Sequence, residues 1–416
     1  MEKKSKLKKR KMLSYEDEPI ETYERDDTIK ERQKREEKAK NKKKIFKNAK
    51  TRNIVIIIIL LVLTVGIVSV WRYASPENFW ASLSSSSIEG NGFPVKIKGK
   101  TVNTDDISIL NNNFAYISDT QFQVINSSGG LVTDKRIKYS SPTMVSGGNY
   151  NLIYDTEGTG YQIETATGTI FEGNTEDTIY SAVIIGNGSY AILSKKDGYT
   201  SRLTVFDKNH KQKYSYFFSE CYAISISLNK NASKAVVCGL DAMKGSIVSR
   251  VYVLDFSEKE PVAKIDFPNT TTYKVNFLDN GNIALIGDTS AMVITNDYQN
   301  KYEFTYNGYN LVNNKIVKDK MVLILSPFRD GKSCEIWTVY QNGTVETIKS
   351  GKDVTGMDTY GDYVALLGNN KVTVFNTAKK EQLQEYDVEI DTKNILYFDE
   401  HTLYLLGASE IRQLVL

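Results

Sequence analysis

Cysteine, histidine and proline are all scarce in this chain. Three cysteines in 416 residues (Cys221, Cys238 and Cys334) are too few for a disulfide-built secreted scaffold. No Cys-x-x-Cys is present. Cys221 and Cys238 flank a hairpin-like stretch that admits a cross-strand bridge; buried free thiols are the expected state. Two histidines, His210 and His401, exclude a histidine-rich metal site. Each lies in a turn-like string, DKNHKQ or DEHTL, where an exposed polar residue is ordinary, so histidine-based hydrolysis has little support. Neither a P-loop nor a Gly-x-Gly-x-x-Gly opening a helix occurs, which argues against a nucleotide site. No cofactor is expected.

Long apolar runs are also few, and the one from Ile54 to Trp71, IVIIIILLVLTVGIVSVW, organises the rest. It is free of charge and long enough to cross a bilayer as a helix at about 1.5 Å per residue. Residues 53–71 are therefore predicted to be a membrane anchor, with Ile54, Leu60 and Val70 in lipid and Trp71 at the interface. Residues 1–52 hold 20 Lys and Arg against 11 Asp and Glu, and a dense run, Lys42 to Arg52, lies directly before the span. Positive charge stays inside, so the N-terminus is expected in the cytoplasm and residues 93–416 outside the membrane. A cleaved signal peptide would need an n-region of about 50 residues, far beyond the ordinary length, so a retained anchor is expected.

The basic tail has too few apolar residues to offset chain entropy, and disorder is its default. Its lysines suit attraction to anionic lipid, worth about 1 kcal/mol per residue near the surface, or a plain topology signal. Nucleic-acid binding is not expected, because no folded reading element is present. In residues 72–92, Ser75-Pro76-Glu77 is a good helix start, with a hydroxyl cap, proline at the first position and an acid in the first turn. A short juxtamembrane helix carrying Phe79, Trp80 and Leu83 is predicted, then a flexible joint through Ser84–Ser87 and Gly90–Gly92.

From Phe93 onward the period changes to two. Runs such as FAYIS, YNLIY, YAILS, MVLILS and YVALLG are apolar enough for strands buried on both faces. Each is followed by a second strand whose equivalent positions (Val124, Ile163, Val205, Val253, Val293, Val339, Val374) lie about 40 residues apart. That period belongs to four-stranded propeller blades, joined here by turns such as NSSGGL, TATGTI and QNGTVE. The prediction is an all-β, eight-bladed β-propeller of four-stranded antiparallel blades, with seven blades as the alternative. The last blade lacks one strand, and Val95–Val102 has no hairpin partner of its own. It is predicted to close the ring beside Ile411–Leu416, through Val95 and Ile97 against Ile411 and Leu414.

The turn TATGTI resembles that of quinoprotein-type propellers, but their docking tryptophans are missing: Trp337 stands alone in the domain. The Gly-His and Trp-Asp dipeptides of WD repeats are absent too. The order of basic tail, single span, Ser75-Pro76-Glu77-Asn78, Gly90-Asn91-Gly92-Phe93-Pro94-Val95 and then blades is similar to a family of single-pass propeller proteins of Gram-positive bacteria. That family has no assigned activity, so the resemblance implies topology and little chemistry.

Candidate sites are correspondingly few. Asp155–Gly160 slightly resembles a calcium loop but lacks an EF-hand's ligands, and a hairpin turn is the simpler reading. Asp105 and Asp106 are adjacent and on a strand would face opposite ways. Tyrosines such as Tyr214, Tyr216, Tyr298, Tyr302, Tyr306 and Tyr309 suit either partner binding or strand packing, with packing favoured. The Asn-x-Ser/Thr strings at Asn126, Asn187, Asn231, Asn269 and Asn342 read as turn residues. The expectation is a membrane-tethered scaffold at the cell envelope that binds a protein or polymer partner. A glycan or peptide sensor and a wall-polymer lyase or hydrolase are the alternatives, because fold alone does not decide activity.

Overall fold

The computed structural model describes residues 57, 58, 60 and 88–416, apart from 244 and 268. The chain divides into two compact units, Met1–Ser75 and Pro76–Leu416. In the first, Ile57, Ile58 and Leu60 are α-helical. Among the described residues no helix is long and apolar enough to cross a membrane. The tail 1–52, most of the span 53–71 with Ile54, Val70 and Trp71, and residues 72–87 of the juxtamembrane segment lie outside the described residues.

The second unit is a ring of eight four-stranded antiparallel blades. Blades 1 to 7 span residues 107–136, 142–174, 179–218, 222–267, 272–305, 310–352 and 356–387; blade 8 takes 394–415 and borrows 95–96. Within blades 1 to 7 the strands run in chain order, first to fourth; in blade 8 the borrowed strand takes the fourth place. First strands of successive blades meet around the axis, as Tyr222–Leu228 meets Thr272–Phe277 and Gly356–Tyr360 meets Asn394–Asp399. The up-down order puts the first-to-second and third-to-fourth turns on one face, here the turn face. Second-to-third turns and blade-to-blade links make the opposite, connector face.

Burial follows from place in the blade. Second strands are covered on both sides, so Asn113–Ile117 and Lys320–Ser326 are buried at every position. Fourth strands form the rim and alternate, as in Val345–Lys352. The apolar core is divided into eight clusters, one at each junction between neighbouring blades. Blade 4 shows why its two cysteines do not pair. Cys221, in the link just before blade 4, packs toward blade 3, and Cys238, on the second strand, packs toward blade 5. All three thiols are buried and free.

The joint between blades 8 and 1 is built differently. Val95 pairs with Ile411 and Lys96 with Glu410, and the Ile97 N–H donates to the Ser409 carbonyl at 2.9 Å. The strand is thus Val95–Lys96 rather than the predicted Val95–Val102. Beyond Ile97 the chain must cross the connector face to reach the axis at Ile107, and it cannot stay in the blade 8 ladder. Lys98 N–H bonds the Tyr116 hydroxyl at 2.9 Å on the way, and Val102 is buried in the same joint. Leu414 pairs with Leu403 and packs toward blade 7, away from the borrowed strand.

Tyr404 is the centre of this joint. It is fully buried, with Phe93, Phe114 and Phe398 at ring separations of 5.2, 5.1 and 5.5 Å. The approach to the joint is docked as well, where a free hinge was expected. Asn126 Nδ2 donates to the Ile88 carbonyl at 2.7 Å, and Gly92 N–H to the Ser128 carbonyl at 2.9 Å. Glycine is required for that contact: a Cβ on Gly129, at φ +78°, would lie 2.3 Å from the Gly92 oxygen.

Two outcomes test the joint. Tyr404→Ala should cost about 3–5 kcal/mol in denaturant unfolding. Tyr404→Phe should be neutral or stabilising, because the hydroxyl is buried without a partner. A chain beginning at Asp105 should melt well below one beginning at Ile88; equal melting would refute the borrowed-strand account.

Candidate functional site

The first strand of every blade has one edge turned to the axis, where no further strand pairs with it. Its N–H groups need other acceptors. Side chains of the neighbouring blade supply them. Asp106 accepts from Met144 N–H at 3.0 Å, Ser201 from Ala223 at 3.0 Å and Asp358 from Tyr397 at 2.7 Å. Ser225 and Ser227 serve Val275 and Phe277 in the same way, at 3.2 and 3.3 Å. Side-chain pairs complete the belt: Ser108 with Asn151, Lys274 with Asn314, and Lys315 with Asp358. Asn394 reaches across the closing joint to the Thr104 carbonyl at 2.7 Å.

On the turn face the belt opens into a cavity of about 850 Å³. Ser146, Ser227, Asn276, Asp279, Lys318 and Thr359 are among its walls. Of the two adjacent acids, Asp106 is buried in the belt and also accepts from Asn103 at 2.8 Å. Burial raises its pKa. Asp105 lies beside it without sharing those partners.

The connector face carries a different surface. First strands of blades 3 to 6 each slip register near that face, between Ile179 and Ser181, Ala223 and Ser225, Thr272 and Lys274, and Leu311 and Asn313. Such bulges re-aim side chains. Tyr180 and Tyr273 are the extra residues of two of them, and both are exposed. Tyr222, 64% exposed, begins the first strand of blade 4, and on blade 3 the exposed rings of Tyr199 and Phe217 meet at a tilt, 4.9 Å apart. The blade 4 hairpin Lys234–Met243 and Ser246–Asp255 is longer than its flanking strands and carries Ile247, 60% exposed, near its tip.

The tyrosines singled out from sequence mostly pack. Tyr306 is buried and donates to the Gly287 carbonyl, Tyr309 reaches Glu335, Tyr214 stacks on Phe256 and Tyr216 meets Phe218 edge to face. Tyr298 meets Lys234, and Tyr302 is exposed. The Asp155 string is a turn in which Asp155 accepts from Ser141 N–H at 2.8 Å; no group of three metal-ligating side chains occurs among the described residues. Asn126, Asn187, Asn231 and Asn342 each accept the N–H two residues on, which makes their Asn-x-Ser/Thr strings hairpin turns.

His210 corrects the reading of an exposed turn residue. Its φ of +63° folds the imidazole back onto Phe171, stacked at 4.0 Å, with Nδ1 buried and unpaired. Burial lowers its pKa below the usual 6.5, against the nearby Asp207 charge. Between the folded and unfolded pKa the unfolded chain binds more protons. Stability is therefore complete above about pH 6.5 and falls as pH drops toward the folded value. His210→Asn should be less stable than wild type at neutral pH by about 1 kcal/mol, from the lost stack. Its melting temperature should also fall less steeply on acidification to pH ~5. Parallel pH profiles for the two proteins would contradict this.

Solved propellers share the ring. BamB from Moraxella catarrhalis is 12% identical, covers 77% of this chain and 97% of its own, and has a TM-score of 0.50. The C-terminal WD40 domain of Sif2 is 13% identical, covers 78% and 99%, and has a TM-score of 0.54. At that identity they speak for the fold alone. No curated protein matches the chain. Residues 92–416 match DUF5711, a family of unknown function, and the chain belongs to that family.

Proposed function

We propose that this protein is a membrane-tethered scaffold at the cell envelope, and that it docks a protein partner on the connector face of blades 3 to 5. The exposed aromatic surface of Tyr180, Tyr199, Phe217, Tyr222 and Tyr273, with Ile247 beside it, carries the reading. Large rings with few rotors give much contact area for little entropy and dominate binding hot spots. Arg202, 5.5 Å over the Phe217 ring, adds a cation at the rim of the surface. The charge-free run Ile54–Trp71 behind a lysine-rich segment supports the tether and the orientation. A hydrolase or lyase has less support, because Asp106 and Asp358, the buried acids nearest the axis, are held by backbone amides and by Lys315.

The test is a photo-crosslinking residue at position 222 of the full chain in intact cells, with position 302 on the rim as control. Discrete protein adducts at 222 and few at 302 are expected. Tyr199→Ser with Tyr222→Ser should weaken the captured association at least tenfold, about 1.4 kcal/mol or more, without lowering the melting temperature. Adducts at 302 alone, or unchanged capture by the double variant, would refute the docking face. Added protease should remove the domain from intact cells and spare residues before Arg52; a protected domain would refute the orientation.

A further inference from the structure

Lys274 is the member of the axial belt whose charge is not matched. It sits on the bulged first strand of blade 5, Thr272–Phe277, and its Nζ donates to Asn314 Oδ1 at 3.2 Å. Asn314 is held in that orientation by its own Nδ2, which donates to the Tyr273 hydroxyl at 3.3 Å. Among the described residues Lys274 makes no ion pair, whereas Lys315 has Asp358 and Lys320 has Asp362. A neutral amide occupies one of three ammonium donors. Burial lowers the Lys274 pKa, Asp105 opposes that shift, and the Lys315 charge adds to it.

An unmatched ammonium in a low-dielectric position is costly, and the cost is relieved by losing the proton or by gaining an anion. The surroundings favour the anion. Lys315 lies close enough for its charge to be felt, and its pairing with Asp358 leaves donors unused. The Tyr273 hydroxyl, which accepts from Asn314, keeps its own proton to give. The route in is the turn face: Asn276, Phe277, Ile316 and Thr359, one to three residues further along the strands that carry Lys274, Lys315 and Asp358, wall the 850 Å³ opening there. The groups facing Lys274 are thus Lys315, Tyr273 and Asn314, with Asp105 as the acid in reach.

We propose that the axis of the ring at blades 5 and 6 is a binding site for a small oxyanion, a carboxylate or phosphate group, held by the ammonium groups of Lys274 and Lys315. The same groups would hold the acidic end of a larger metabolite entering from the turn face. The site borders the aromatic docking surface through Tyr273 alone and opens on the other face.

The experiment titrates the full chain in detergent with sodium acetate and, separately, inorganic phosphate, at constant ionic strength against chloride. Calorimetry and melting temperature are the readouts. Saturable binding of at least one anion is expected, with a matching rise in melting temperature and at least tenfold weaker binding in Lys274→Met. Binding should also weaken as pH rises toward the ordinary lysine range, because acetate and phosphate keep their charge there while Lys274, its pKa lowered by burial, loses its own first. Preference for acetate or phosphate identifies which oxyanion is taken. If Lys274→Met does not fold, wild type gives the second readout: acetylation of Lys274 by acetic anhydride, followed by peptide mass spectrometry, should slow when anion is added, while Lys213 is unaffected. No saturable binding, equal affinity in Lys274→Met, or unprotected acetylation would overturn the proposal.

Discussion

A four-stranded blade with two apolar faces cannot be stable alone, and that constraint governs this protein. Each sheet must be covered on both sides, so each needs two neighbours. A row of blades leaves two bare faces, whereas a ring leaves none. The eight interblade clusters are this solution written eight times, and the ring exists only if the last of them forms. That last joint depends on a two-residue strand, Val95–Lys96, and on Tyr404 between three phenylalanines. Very little ladder is needed there because the side chains of Phe93, Val95, Ile97 and Val102 do most of the covering.

The ring creates a second constraint at its axis, where eight strand edges would be left with unused amides. Serine and aspartate from adjacent blades meet them, so polar side chains hold the blades in register. This explains why a polar centre need not be a catalytic one: Asp106 and Asp358 are occupied by backbone N–H groups. Lys274 differs because its partner is a neutral amide, and the position it leaves open is a matter of charge rather than of hydrogen-bond count. The bulges that precede it also turn Tyr180 and Tyr273 outward, so one irregularity shapes both the axis and the connector face.

Much of the fold was legible because it is periodic. Strand alternation and the spacing of Val124, Ile163, Val205 and their successors carry the blade repeat, and a leftover strand at one end with a missing strand at the other implies closure. The exposed surface was harder to read. Tyr214 and Tyr306 pack while Tyr180 and Tyr222 are exposed, and nothing in composition separates them. A one-residue bulge inverts which face a side chain takes, and no local string in these first strands marks the bulge. His210 reads as exposed from its string for a similar reason: a left-handed turn residue can return to the sheet it seems to leave. The docking of Ile88–Gly92 depends on Asn126, 38 residues away, which no local pattern reports.

The central claim is that ring closure is as strong as the rest of the ring. Native-state hydrogen exchange of the amides of Val95, Ile97 and Ile411 measures it directly, against those of Ile283–Gly287 in the middle of blade 5. The account predicts that both sets exchange only through global unfolding, with equal protection and equal dependence on added denaturant. Exchange of the closing amides through a local opening, at low cost and insensitive to denaturant, while blade 5 stays protected, would contradict it.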